Sequence, residues 1–342
     1  MARPRVANSK PKYRVAVIGC GKIGVFFESE SRREKPASHA GAVMANKKTK
    51  LVALVDTDAK NLNAARKLFP GARGYRSIVE CLKTERPDIV LIATPPSARL
   101  APLKECARYR VPIVICEKPL AKTLAEGKKI ESLVAKSGMT FVLNYHRRFS
   151  GLFARARGSI AKGRIGRVQQ VTCYYSNGLC NNGGHTLDAL SYLLHDDIVS
   201  VVAAENSENN TFPEGDMSVD ALLKTKNGTM IVLQSFDQRE YGIHDFRIYG
   251  TNGSIDITDY GTTLTETPVG QSRFSGIQQL DSRRGRTVHI PLSATEGALS
   301  HAIECHEKHR TPLSSARSGV AVLRILEAMV RSARSGGKKI PV

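Results

Sequence analysis

The chain lacks several things, and each absence excludes something. No uninterrupted apolar stretch approaches the ~20 residues needed to span a bilayer, so no membrane span is expected among its 342 residues. Its seven cysteines (20, 81, 106, 116, 173, 180 and 305) are scattered, odd in number and contain no C-x-x-C pair. That pattern argues against a disulfide framework and for a reducing, cytoplasmic compartment. Residues 1–12 carry Arg3, Arg5, Lys10 and Lys12 without an apolar core, which excludes a secretory signal and reads as a disordered basic tail. A strand beginning at Tyr13 follows at once and leaves little room for an amphipathic presequence helix. Despite a net charge of +20, no Lys/Arg run exceeds two residues. No helix-turn-helix or RNP-like pattern appears either, so no nucleic-acid partner is expected. Cys305-His306-Glu307-Lys308-His309 spaces its histidines i,i+3 and not i,i+4, with no fourth ligand in sight, and no metal is expected.

What is present is a globular composition, 41% apolar, in a chain long enough for two cores. The charge is uneven. Residues 1–150 hold 30 Lys and Arg against 12 Asp and Glu, a net +18, and the remainder holds 21 against 19, a net +2. A basic first half speaks to partners and solubility more than to fold.

The first half opens on Arg14-Val-Ala-Val-Ile, a buried strand running into Gly19-Cys20-Gly21-Lys22-Ile23-Gly24. In this G-x-G-x-x-G the first glycine permits a tight turn, the second lets a pyrophosphate approach the backbone, and the third lets helix pack on strand. A helix N-terminus is expected to face the phosphates. After a polar interruption from Glu28 to Lys35, His39–Ala45 resumes a helical face. Leu51–Val55 is the next strand and ends at Asp56. An acid there accepts the adenosine ribose hydroxyls and repels a 2′-phosphate, which favours NAD over NADP.

Helix and strand then alternate through Asp88–Ala93, which stops at Thr94-Pro95-Pro96. The prolines delay the next helix, and the threonine offers a hydroxyl beside the cofactor. Ile113-Val-Ile-Cys116 is an apolar run halted by Glu117-Lys118-Pro119. A strand buried on both faces that ends in an acid, a base and a stiff proline puts that charged pair where open α/β sheets bind ligands. The alternation demands a parallel sheet with right-handed crossovers.

In the second half Val168–Tyr175 alternates as a strand. From His185 the apolar positions Leu187, Leu190, Leu193 and Leu194 fit a helix, placing His185 and Asp188 one turn apart near its start. Val219–Lys224, Thr229–Phe236 and Phe246–Tyr249 read as strands, Gln271 to Arg286 as a loop, and Val320–Met329 as a closing helix.

With Gly19–Gly24, Asp56, Thr94-Pro95-Pro96, Glu117-Lys118-Pro119 and Asn144–Phe149 in this order, the chain resembles the glucose-fructose oxidoreductase / inositol dehydrogenase / rhizopine-catabolism family. The resemblance implies an α/β protein. A Rossmann domain over 13–149 would precede a substrate-binding and oligomerisation domain over 150–342, built on a large, mostly antiparallel open sheet that commonly makes a dimer or tetramer interface. It implies an NAD(P)-dependent oxidoreductase acting on a secondary hydroxyl or ketone of a sugar, cyclitol or nucleotide-linked sugar. A sensor of NAD or sugar on the same fold is the competing reading.

By position, Glu117 would touch the nicotinamide ribose, and Thr94, Pro95 and Asn144 would line the nicotinamide pocket, with Lys22 and Ile23 in the phosphate loop. Lys118 and His185 would be the catalytic pair, and Arg147, Asn181 and Asp188 would join them in holding substrate. Two departures stand out. Arg99 replaces a histidine common after Thr-Pro-Pro, and is read as reaching a phosphate or carboxylate. Asn181 replaces an aspartate common four residues before the histidine. An amide orients a hydroxyl but cannot titrate, so proton transfer would rest on Lys118 and His185.

Overall fold

A computed structural model describes residues 12–208, 215–273, 276–291 and 295–342. All of the expected basic tail except Lys12 lies outside them. The described residues form two compact units, one from 12–121, 129–144 and 295–316, the other from 122–128, the described part of 145–291, and 317–342.

The first unit is built on six strands: β1 (Tyr13–Ile18), β2 (Thr49–Val55), β3 (Arg73–Tyr75), β4 (Ile89–Ile92), β5 (Ile113–Glu117) and β6 (Thr140–Asn144). All pair in parallel, in the order β3-β2-β1-β4-β5-β6. Every residue of β4 and β5 is buried, as expected of β-branched runs covered by helices on both faces. Each fully buried Ile or Val there contributes roughly 1.5–3 kcal/mol. The helices are α1 (His39–Ala45), α2 (Ala59–Leu68), α3 (Ile78–Glu85), α4 (Leu100–Arg108) and α5 (Leu124–Ser137). Side chains of Ser38, Asp58 and Ser77 cap α1, α2 and α3 by accepting backbone N–H groups, which satisfies donors the helices cannot. Strand order reverses between β1 and β4, and at such a switch point the carboxyl ends leave a crevice for ligand.

The glycine motif does not run straight into an α-helix. Val25 N–H and Phe26 N–H both donate to Gly21 O, a short 3-10 turn Phe26–Ser29 follows, and α1 begins only at His39. The intervening polar segment ends in Pro36, which cannot supply a helical N–H. Glu28 turns back instead, its carboxylate accepting from Ala37 N and Ser38 N at 3.0 Å and from Ser38 Oγ at 2.9 Å. The first donors of α1 are also spent inside the fold: His39 N–H binds Ile23 O and Ala40 N–H binds Gly24 O. The loop itself, and not the end of α1, is left to meet an anion.

Later in the chain α8 (Glu296–Glu307) joins the same unit. Thr295 Oγ1 donates to Ser38 O, and Thr140 Oγ1 lies 3.2 Å from His306 Nδ1.

The second unit carries ten described strands in one sheet. They are β7 (Val168–Ser176), β8 (Ile198–Glu205), β9 (Val219–Thr225), β10 (Met230–Phe236), β11 (His244–Gly250), β12 (Gly253–Thr258), β13 (Thr263–Gln271), β14 (Gln278–Leu280), β15 (Arg286–His289) and β16 (Ile340–Pro341). Only the β7–β10 pair is parallel; the others run antiparallel. Burial alternates along β9, β10 and β11, so one face is core and the other open. The segment read as a loop from Gln271 to Arg286 is partly stranded: β14 pairs back on the end of β13 through Val269↔Leu280 and Gln271↔Gln278. All three β14 residues are exposed, which left no apolar period to read; residues 274–275 lie outside the described set. Helices α6 (Gly151–Ala161), α7 (Gly184–Leu194) and α9 (Ala316–Arg334) complete this unit. Phe153 of α6 meets Phe246 of β11 edge-on at 5.6 Å.

Candidate functional site

In the first unit the strand ends bring the expected cofactor residues together. Gly19 takes φ +95°, and a Cβ there would meet the Ala93 backbone at 2.8 Å; only glycine makes this turn. A Cβ on Gly24 would fall 2.0 Å from Gly19 O, whereas one on Gly21 would meet nothing within 4 Å. Gly19 and Gly24 are thus fixed by packing, and Gly21 faces open space where a pyrophosphate could approach. The amides of Gly21, Lys22, Ile23 and Gly24 donate to no group among the described residues, a run of N–H groups suited to an anion. Asp56, one residue past β2, accepts Cys20 N–H at 2.7 Å and Asp58 N–H at 2.8 Å. It is held against the loop with lone pairs to spare for a ribose. These residues fit a dinucleotide.

Two strands away, β5 ends on a buried carboxylate. Glu117 is 6% exposed. Its Oε1 accepts from Asn144 Nδ2 at 2.6 Å and lies 2.9 Å from His39 Nε2, while Oε2 accepts Lys118 N–H at 3.2 Å. Burial alone would push this carboxyl up, but the hydrogen bonds and charge offered by His39, then Asn144 and Arg99, outweigh it and hold the carboxyl at about 2. Glu117 is therefore a fixed anion and not a proton carrier at neutral pH. Lys118 follows it on a cis peptide to Pro119. Thr94 and Pro95 lie just past β4, where Thr94 Oγ1 donates to Ala98 O.

Arg99 spends two of its nitrogens on the main chain. It is 2% exposed, and its guanidinium donates to two main-chain carbonyls, Thr94 O at 3.2 Å and Lys118 O at 2.8 Å. The sequence showed the departure but not the direction of the side chain. His39 went unread altogether: a lone histidine in an Ala/Gly-rich helical face gave only the signal of a polar residue where burial was expected.

In the second unit His185 sits in the first turn of α7, 5% exposed. Its ring packs on His146 at 4.6 Å and edge-on to Tyr145 at 5.6 Å. Arg147 is buried, and its Nη1 lies 3.3 Å from His146 Nε2. An arginine has only donors, so His146 Nε2 is the acceptor of that contact. Burial pulls the Arg147 guanidinium down, opposed by the nearby Asp188. Asp188 has no exposed surface, and both its oxygens accept from Arg148 Nε, at 3.0 and 2.8 Å. That engagement explains its presence one turn from His185 without a ligand. Asn181 lies in a π-helical turn, Gly178–Gly183, entered through left-handed Asn177 and Gly178. Asp216 holds that turn, accepting Cys180 N–H and Asn181 N–H at 2.9 Å each. No spacing in the sequence linked Asp216 to this turn. Among the described residues no group of three or more His, Cys, Asp or Glu side chains could hold a metal ion, and no helix is long and apolar enough to cross a membrane.

Two family models match the chain. Residues 13–145 match the NAD-binding Rossmann fold of the GFO/IDH/MocA oxidoreductase family, and residues 176–342 match that family's C-terminal alpha/beta domain. The chain belongs to this oxidoreductase family. Inositol 2-dehydrogenase 2 from Paenarthrobacter aurescens is 25% identical to the oxidoreductase over 95% of this chain and 97% of its own. D-apiose dehydrogenase from Paraburkholderia graminis is 26% identical over 95% and 88%. Among solved structures, the WlbA dehydrogenase from Bordetella pertussis, in complex with NADH and UDP-GlcNAcA, superposes with a TM-score of 0.75 at 21% identity, covering 97% of this chain and 99% of that one. At that identity the likeness speaks for the fold. Residues 13–145 are an NAD-binding Rossmann fold, and the protein is an oxidoreductase of this family.

Proposed function

We propose that the protein oxidises a secondary hydroxyl of a sugar, cyclitol or nucleotide-linked sugar to a ketone, or runs the reverse, with Lys118 and His185 handling the hydroxyl proton. When bound, NAD accepts the hydride at nicotinamide C4. The chain's own residues do the rest. The amides of Gly21–Gly24 bind the pyrophosphate, and Asp56 holds the adenosine ribose. Glu117, kept ionised by His39 and Asn144, accepts a hydroxyl of the nicotinamide ribose. Thr94, Pro95 and Asn144 bound the nicotinamide. Lys118 takes the hydroxyl proton as the C–H bond gives up its hydride, so that one proton and one hydride leave the substrate together. His185, with Asn181 and Arg147, holds the substrate's polar groups.

The observation that carries this reading is the buried Glu117 at the carboxyl end of β5, braced by His39 and Asn144, with a lysine directly after it, in an NAD-binding domain. Full-length relatives named as dehydrogenases of inositol and of D-apiose support the substrate class. The test is a panel of cyclitols, aldoses and UDP-sugars with NAD, read as NADH absorbance. Lys118→Ala is expected to lower turnover at least 10²-fold while NADH binding survives. Wild-type turnover in that variant would sink the assignment.

The open face of the second sheet supports docking of a second copy of this chain. Val202 and Leu222, 37% and 42% exposed, pair directly across β8 and β9. Leu222→Glu should lower the mass measured by light scattering; an unchanged mass rules that face out.

A further inference from the structure

We propose that Arg99 is a positioning residue for Lys118, its guanidinium fixing the Lys118 peptide against the end of the neighbouring strand. The inference rests on the reading of Lys118 as the proton-handling group. β4 and β5 are adjacent, with Ile92 opposite Cys116, and each strand ends just before a loop that carries a site residue. Arg99 stands at the start of α4, its carbonyl accepting Leu103 N–H, so its backbone is anchored by the helix. From there Nε donates to Thr94 O beyond β4, and Nη2 donates to Lys118 O beyond β5.

The turn that presents Arg99 is closed on itself, with Ala98 N–H on Pro95 O and Thr94 Oγ1 on Ala98 O. The Lys118 peptide is therefore gripped at both ends: its N–H by the Glu117 carboxylate and its C=O by the Arg99 guanidinium. A guanidinium holds two carbonyls on separate loops from different nitrogens of a rigid planar fork. A lysine must send both bonds from one flexible point, and an imidazole has too short a reach for both. The side chain is 2% exposed, so the two carbonyls and not solvent hold the guanidinium where it is. Fixing the Lys118 backbone fixes where its ammonium can reach. A misplacement of about 1 Å in a reacting group costs on the order of 10²-fold in rate.

The test uses the full-length protein with Arg99→Met, Arg99→Lys and, in parallel, Lys118→Ala. Three quantities are read: amide hydrogen exchange over residues 113–124, the Kd for NADH by its fluorescence, and kcat on whichever substrate of the panel above turns over. Arg99→Met is expected to speed exchange at Glu117 and Lys118 at least 10-fold. It should lower kcat about 10²-fold with the NADH Kd changed less than about 3-fold. Arg99→Lys, which keeps the charge but not the rigid fork, should recover part of both losses, and it carries the test alone if the methionine variant does not fold. Wild-type exchange at Lys118, or a kcat within 3-fold of wild type, in the variant that folds would overturn the inference. So would a loss confined to NADH affinity, which would make Arg99 a prop of the cofactor pocket. If Lys118→Ala turns over normally, the Lys118 reading itself fails; if it is inactive while the Arg99 variants are not, only the positioning role falls.

Discussion

Replacing His39 by Phe tests the electrostatics of the site most directly. His39 is 1% exposed, and a phenyl ring removes the hydrogen-bonding group without opening a cavity; its larger size adds a packing cost that does not vary with pH, so the pH dependence isolates the electrostatic part. What it leaves is the Glu117 carboxylate, buried, with Asn144 Nδ2 and Lys118 N–H still donating to it. A carboxyl held at about 2, against 4.5 when solvated, contributes roughly 3 kcal/mol to folding above pH 5. After burial, which opposes ionisation, His39 supplies the largest share of the effect. A hydrogen bond to a charged group is worth about 1.5–3 kcal/mol, so the expected loss at pH 7 is about 2 kcal/mol. The sign with pH follows from linkage. A carboxyl depressed in the folded state stabilises above its solvated value and loses that stabilisation as pH falls through the folded one. Both proteins share the same unfolded carboxyl, so the gap between wild type and His39→Phe should be full at about pH 5–7, close only as pH falls below about 4 through the folded-state values, and have its electrostatic part nearly gone towards about pH 2. Because the chain has no tryptophan, urea unfolding is followed by far-UV circular dichroism at pH 7, 5, 4, 3 and 2.5. A gap below 0.5 kcal/mol at pH 7, or one that stays flat down to about pH 2.5, would refute the reasoning.

The glycine loop offers a pair of opposite outcomes. Gly24→Ala forces a Cβ into Gly19 O and should destabilise by about 1–3 kcal/mol or more, measured by the same unfolding. Gly21→Ala, whose Cβ meets nothing, should leave stability within about 0.5 kcal/mol while NADH affinity falls at least 10-fold; unchanged affinity would mean that the loop does not meet the pyrophosphate. In the second unit, Asp188→Ala strands the largely buried Arg148 and should cost about 3–5 kcal/mol. The double variant Arg148→Met/Asp188→Leu should recover most of that, since burial already pushes the Asp188 carboxyl up and the pair gains little over an apolar one. A double variant no better than the single would refute this account.

How much of this was legible in the sequence depends on the range of the interaction. The parallel sheet could be read because β4 and β5 are unbroken β-branched runs, a local property, and because each stops on a residue that cannot extend it. The residues at those stops, Thr94 and Glu117-Lys118-Pro119, could be read for the same reason, as could Gly19 and Gly24, whose demand is for a backbone shape. Edge strands such as β14 could not, since a strand exposed on both sides has no period to betray it. Nor could the helix expected after Gly24, because its delay to His39 is set by Glu28 folding back across nine residues to cap Ser38.

The partners of the charged residues were the least legible part. Glu117 and Lys118 announce themselves at a strand end, but what makes one a permanent anion is a histidine 78 positions earlier and an asparagine 27 later. What holds the carbonyl of the other is an arginine 19 residues back. Arg99 was visible only as a departure from the histidine expected by resemblance. Its spacing gave no sign that two of its donors would go to the main-chain carbonyls of Thr94 and Lys118. The same holds for Asn181, whose backbone is held by an acid, Asp216, 35 residues away. Sequence marks where charge is placed. Whether that charge titrates, binds or only braces is set by partners whose spacing along the chain carries no period, and the His39, Arg99 and Asp188 substitutions measure that difference.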